Sequence, residues 1–237
     1  MYWEIPLKGV LWYNSHAFNV WDKPATLHAW SNFYFAKTKQ RRMIGYNHVA
    51  NKAPHGLAPF TEKTYCKTYT VPQNYSIATM SGHTHRHGVR FWVNGPRGNM
   101  LYENFDYNDP KYLRFDPYLD FPEADPAQRT LEFCATFNNG IKKDGSFDPK
   151  FVTRASKMPP YAGCTPVACT SGKVGAACAA DADCDLTPAA GDGDCDACPI
   201  TSGTTTENEM FVLRLWLVAP VGDDGAAAQG VNLDAIF

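Results

Sequence analysis

The stretch MFVLRLWLVAP, residues 210–220, decides how this chain is read. Phe211, Leu213, Leu215 and Leu217 alternate with Met210, Val212, Arg214 and Trp216, so an extended backbone sends an unbroken apolar row to one side. Such a row belongs to a strand with one face in a core and mixed chemistry on the other. The same texture recurs upstream in KTYCKTYTV (63–71), YSIATMSGHTH (75–85), VRFWV (89–93), NMLYENFDY (99–107) and TLEFCATF (130–137). Between them NGPRGN (94–99), NDPKYLRFDPYLDFPEADPAQ (108–128) and NNGIKKDGSFDPK (138–150) read as loops from their Pro, Gly, Asn and Asp. Short strands at this spacing, without an amphipathic helix, predict an all-β fold: an antiparallel, jelly-roll-like β-sandwich.

The flanks differ in texture. GVLWYN (9–14) and ATLHAWSNFYFA (25–36) are aromatic and β-branched, and read as strands within a distinct segment, 1–39. Residues 40–60, QRRMIGYNHVANKAPHGLAPF, are basic and turn-prone and read as a connector. Residues 161–206 hold six of the eight cysteines and little that could form a core, so they read as a disulfide-stapled loop insertion ahead of the last strand.

Composition narrows the function classes. Hydrophobic residues at 44% and charged residues at 19% describe a folded globular chain, and a net charge of −2 offers no basic patch for nucleic acid. The longest apolar run, 210–221, is interrupted by Arg214 and is too short to span a bilayer. The cysteines point to an oxidising compartment, secreted or periplasmic. The N-terminal residues carry no signal-peptide pattern. A chain that is a fragment, or lacks its 5′ portion, would reconcile the two.

His83 and His85 carry the chemistry. On a strand, residues i and i+2 face the same side about 7 Å apart, so two imidazoles can converge on one ion. His87 would lie roughly 13 Å from His83 on a straight strand, too far to share that ion. Cys195-Asp-Ala-Cys198 could serve redox or zinc chemistry, but irregular partners and the absence of a βαβ context favour structural disulfides. The aspartates at 181, 183, 185, 192, 194 and 196 invite a calcium reading, yet no full ligand loop with a terminal Glu is present, which favours a solvated acidic loop.

With its surroundings, HTHRHG (83–88) resembles the HTHxxG element of the copper type II, ascorbate-dependent monooxygenases, the family of peptidylglycine α-hydroxylating monooxygenase and dopamine β-monooxygenase. LEFCATFNN (131–139) resembles that family's cysteine-bearing strand, and ENEM (207–210) its acidic-x-Met motif. YNSHAFN (13–19) resembles the strand that supplies one histidine to a second, electron-storing copper. The resemblance runs from about residue 10 to 220, in order, with the cysteine-rich insertion as extra. It implies an oxygen-activating copper on His83, His85 and Met210, hydroxylation of a C–H bond in a small-molecule or peptide substrate, and ascorbate as reductant. It also implies that His16 is part of a second copper site, and that 1–39 are remnant strands of a preceding N-terminal sandwich lobe. Residues 40–237 are then the C-terminal copper-binding β-sandwich. Soft Cu(I) accepts a thioether, whereas Zn(II) would favour a third His, Cys or carboxylate.

Departures limit the carry-over. No His-His dipeptide occurs, so two ligands of the second site have no counterpart, and His28, His48 and His55 match nothing in the pattern. The family often has a cysteine directly after the ligand Met, bonded to the equivalent of Cys134, and here that position is Phe211. Cys66 matches a family cysteine whose partner lies near the C-terminus, where this chain has none. Cys66 therefore pairs with Cys134, or Cys134 reaches into the insertion, where Cys164, Cys169, Cys178, Cys184, Cys195 and Cys198 allow many connectivities. The alternative function is a non-catalytic secreted β-sandwich that binds copper or a partner.

Overall fold

Ten strands follow one another along the described chain: β1 Met43–Val49, β2 Glu62–Thr70, β3 Tyr75–His83, β4 Gly88–Asn94, β5 Met100–Asn104, β6 Leu113–Phe121, β7 Thr130–Asn138, β8 Ala168–Ser171, β9 Asp194–Ala197 and β10 Val212–Val218. The structure is a computed structural model and describes residues 42–49, 56–158 and 163–220, with isolated positions between 23 and 37. GVLWYN, most of ATLHAWSNFYFA and His16 lie outside the described residues.

Among the described residues, two four-stranded sheets, ordered β1-β10-β3-β6 and β2-β7-β4-β5, hold the main fold, and every pairing in them is antiparallel. One core joins them. Ile77, Met80, Leu213, Leu215 and Leu217 of the first sheet pack with Phe91, Val93, Leu131, Phe133, Ala135 and Phe137 of the second, all buried. The chain is therefore an all-β, antiparallel sandwich, and the 211–217 row lies between the sheets as its alternation predicts. Phe211 anchors that row, with ring centroids 5.0 Å from Phe133, 5.8 Å from Phe91 and 6.1 Å from Phe137.

Three sequence expectations are corrected. The connector 40–60 contains β1, which pairs with β10 from Met43↔Val218 to Val49↔Val212. Its basic, turn-rich flanks hide a seven-residue strand whose Ile44 packs against the core. The loop expected over 108–128 contains β6, which among the described residues pairs only with β3 at the sheet edge, and an edge position is where a strand tolerates Pro117. The segment 161–206 is not without a core. Ile200 joins the main core beside Leu57, and Ala168 and Ala197 pack with Phe60 and Val152 in a second small cluster. Small residues suffice there because β8, β9 and the disulfides bring backbones close together.

All eight cysteines are bonded: Cys66–Cys134, Cys164–Cys198, Cys169–Cys184 and Cys178–Cys195. Cys66 and Cys134 are direct cross-strand partners of β2 and β7. Cys134 alternates with core-facing Phe133 and Ala135, so it points away from Phe211. That geometry excludes the family pairing at this position and closes the alternative in which Cys134 reaches the insertion. The Cys195–Cys198 motif is split between two disulfides, which removes its redox and zinc readings.

Candidate metal centre

β3 and β4 belong to different sheets, so Thr84–His87 form an arch that carries the chain across the sandwich. The Gly88 N–H donates to the His85 carbonyl at 3.0 Å and closes the turn. A Cβ at Gly88 would lie 2.2 Å from Thr84 Oγ1, so the glycine of HTHRHG is needed where the arch folds onto its own threonine.

His83, the last residue of β3, pairs with Val212, on the sheet face opposite Leu213. His85 lies beyond the strand, in the arch, which corrects the expectation that both histidines share one strand. Leaving the ladder lets the second ring tilt toward the first. The ring centroids are 5.2 Å apart at 81°, closer than the ~7 Å spacing of a straight strand. His83 is half-buried and His85 is buried.

Asn208 and Glu209, just ahead of β10, close on the arch. His85 Nδ1–H donates to the Asn208 carbonyl at 2.8 Å. A carbonyl only accepts, so the proton sits on Nδ1 and Nε2 is the nitrogen that can act as a ligand. The His85 N–H donates to Glu209 Oε2 at 2.7 Å and the His87 N–H to Oε1 at 2.6 Å. Glu209 is fully buried. Burial pushes its carboxyl up to about 8, against the N–H groups of His85, His87 and Met210, which favour the ionised form. Met210 is half-buried between this carboxyl and the Phe211 anchor.

His87 belongs to the scaffold. Its Nδ1–H donates to the Asn138 carbonyl at 3.0 Å, and Nε2 accepts from the Thr153 hydroxyl at 2.9 Å, so both nitrogens are committed. Burial, then the neighbouring Arg86 charge, lowers its pKa to about 3 and keeps it neutral. Arg86 Nη1 pairs with Glu207 Oε1 at 2.8 Å, while Nη2 donates to the Phe151 carbonyl at 2.8 Å. Burial raises the Glu207 carboxyl, with Arg86 opposing.

The structure thus brings His83, His85 and the 208–210 segment to one end of the sandwich. Among the described residues, every cluster of three His, Cys, Asp or Glu donors is built on disulfide-bonded cysteines, and none includes the histidine pair. Met210, which carries a thioether, follows Glu209 directly in that segment. Two imidazoles with a thioether suit Cu(I) better than Zn(II). In the insertion, Asp183 accepts the N–H groups of Ala179 and Ala180, Asp185 that of Gly193 and Asp181 that of Cys195. These carboxylates cap turns; Asp181 and Asp183 are exposed, as a solvated acidic loop requires, whereas Asp185 is buried.

Sequence reasoning missed Glu209, which it treated only as part of ENEM, and Asn139. Asn139 is fully buried, donates to the carbonyls of Leu57 and Cys198 and accepts the Thr153 N–H. A carboxylate directly before a core-facing row is the available signal for Glu209; nothing local marks Asn139. No known family model matches the chain, and no curated protein matches its sequence.

Proposed function

We propose that this chain is a copper-binding, jelly-roll β-sandwich that acts as the oxygen-activating half of a secreted or periplasmic, ascorbate-dependent monooxygenase. The strand order β1-β10-β3-β6 against β2-β7-β4-β5 supports the jelly-roll reading. Four disulfides support an oxidising compartment. No helix among the described residues is long and apolar enough to cross a membrane.

One observation carries the functional reading. The His83–His85 pair is held against the Met210 end of β10, with the outer nitrogen of His85 occupied by a backbone carbonyl, the arrangement that ligand histidines usually have. In this reading His83 and His85 supply imidazole nitrogens and Met210 the thioether. Bound copper would supply the one-electron chemistry that activates dioxygen toward a substrate C–H bond, with ascorbate as the source of electrons. Asn208 orients the His85 ring and holds its proton on Nδ1. Phe211 fixes where Met210 leaves the core. An N-terminal sandwich lobe supplies the second copper site, of which His16 is the candidate residue in this chain.

The test is copper binding by the chain and its Met210→Ala variant in both oxidation states. Binding of one copper, with Met210→Ala weakening Cu(I) more than Cu(II), is the expected result. Equal loss for both states, or none, removes the thioether. The isolated chain is expected to hydroxylate nothing at a useful rate, and ascorbate-dependent turnover with one copper bound would contradict the two-copper reading.

A further inference from the structure

We propose that Glu209 is the positioning residue of this site, setting the spacing of the histidine arch and the Met210 strand before any metal arrives. The inference rests on the copper reading above. At the arch the backbone has left one sheet and has not yet entered the other, so its N–H groups must find acceptors outside the regular ladders. The two carboxyl oxygens of Glu209 take those of His85 and His87 at 2.7 and 2.6 Å, and Glu209 directly precedes Met210 in the chain. One buried group therefore joins the backbones of a ligand histidine, a scaffold histidine and the ligand methionine. A carboxyl is required because it offers two acceptor oxygens, whereas a glutamine amide would turn an NH2 toward one of the donors. The neighbouring acid, Glu207, faces Arg86 instead.

The experiment compares the wild-type chain with Glu209→Gln. In the metal-free wild type, the His85 and His87 amides should resist hydrogen exchange as strongly as β3 and β10, although both lie outside strands. In Glu209→Gln both should exchange faster, and Cu(I) affinity should fall at least about tenfold, as for other losses of a supporting contact. X-ray absorption should show the sulfur contribution to Cu(I) weakening while the imidazoles remain. A residue with a merely structural role would lower stability and leave that sulfur signal intact in the folded fraction. Unchanged Cu(I) affinity and sulfur signal in folded Glu209→Gln overturns the positioning role alone. Failure of the wild type to bind Cu(I) overturns the copper reading and this role with it. Should the variant not fold, wild-type exchange decides: amides that exchange like an open turn overturn the proposal, and core-like protection upholds it.

Discussion

Nδ1 of His85 donates to the backbone carbonyl of Asn208 at 2.8 Å, across 123 positions of sequence. That bond selects one tautomer. In metal-free protein near neutral pH, nitrogen NMR should find the His85 proton on Nδ1, and a proton on Nε2 would mean that the ring does not present its ligand nitrogen as described.

Phe211→Ala should be among the most destabilising single changes in the chain. Its ring meets Phe91, Phe133 and Phe137 at full burial. Loss of a buried aromatic of this kind costs about 3–5 kcal/mol. Chemical denaturation would measure it, and a cost well under 1 kcal/mol would contradict the anchor role.

Stability should peak in weakly acidic solution. His87 takes a proton at its ordinary 6.5 when unfolded but only at about 3 when folded, so stability is lost as pH falls through that window. Glu209 runs the other way. Folded, it keeps its proton to about 8 and, unfolded, releases it at its ordinary 4.5, so its contribution is full below 4.5 and lost as pH rises through 8. Between 4.5 and 6.5 the two trends oppose each other. Each limb has a slope of up to about 1.4 kcal/mol per pH unit. Denaturation of metal-free protein across this range should show both limbs. His87→Asn should flatten the acid limb and Glu209→Gln the alkaline one, and an acid limb unchanged in His87→Asn would contradict this assignment.

Asn139→Ala should loosen the insertion from the sandwich. It strips partners from the Cys198 carbonyl and the Thr153 N–H, and removes one of the two bonds to the Leu57 carbonyl, which still accepts the Ile200 N–H. Each buried polar group left without a partner costs about 1–3 kcal/mol. Limited proteolysis should then cut within 163–206 faster than in the wild type, with the disulfides intact. An unchanged cleavage rate would show that the disulfides and Ile200 hold the segment unaided.

β3, β7 and β10 were legible as strands from their aromatic and β-branched content, and the core face of β10 was legible too, because alternation is a local property. β1 and β6 were not. In β1 the apolar signal is short and framed by turn residues, and in β6 Asp116-Pro117 interrupts a strand that survives only at an edge. The histidine pair was legible as His-x-His, but its placement across an arch was not. Nothing in HTHRHG says that the chain changes sheets there.

The residues alone settled which positions of 211–217 face a core and that the cysteine-rich segment is stapled by disulfides. Tertiary structure alone decided that Cys66 faces Cys134, that Asn139 pins the insertion, and that Glu209 grips the backbone of His85 from 124 positions away. The physical reason is the range of each effect. Side-chain alternation and composition act within a few residues, whereas a buried carboxyl or asparagine acquires its partners only once distant segments fold against it.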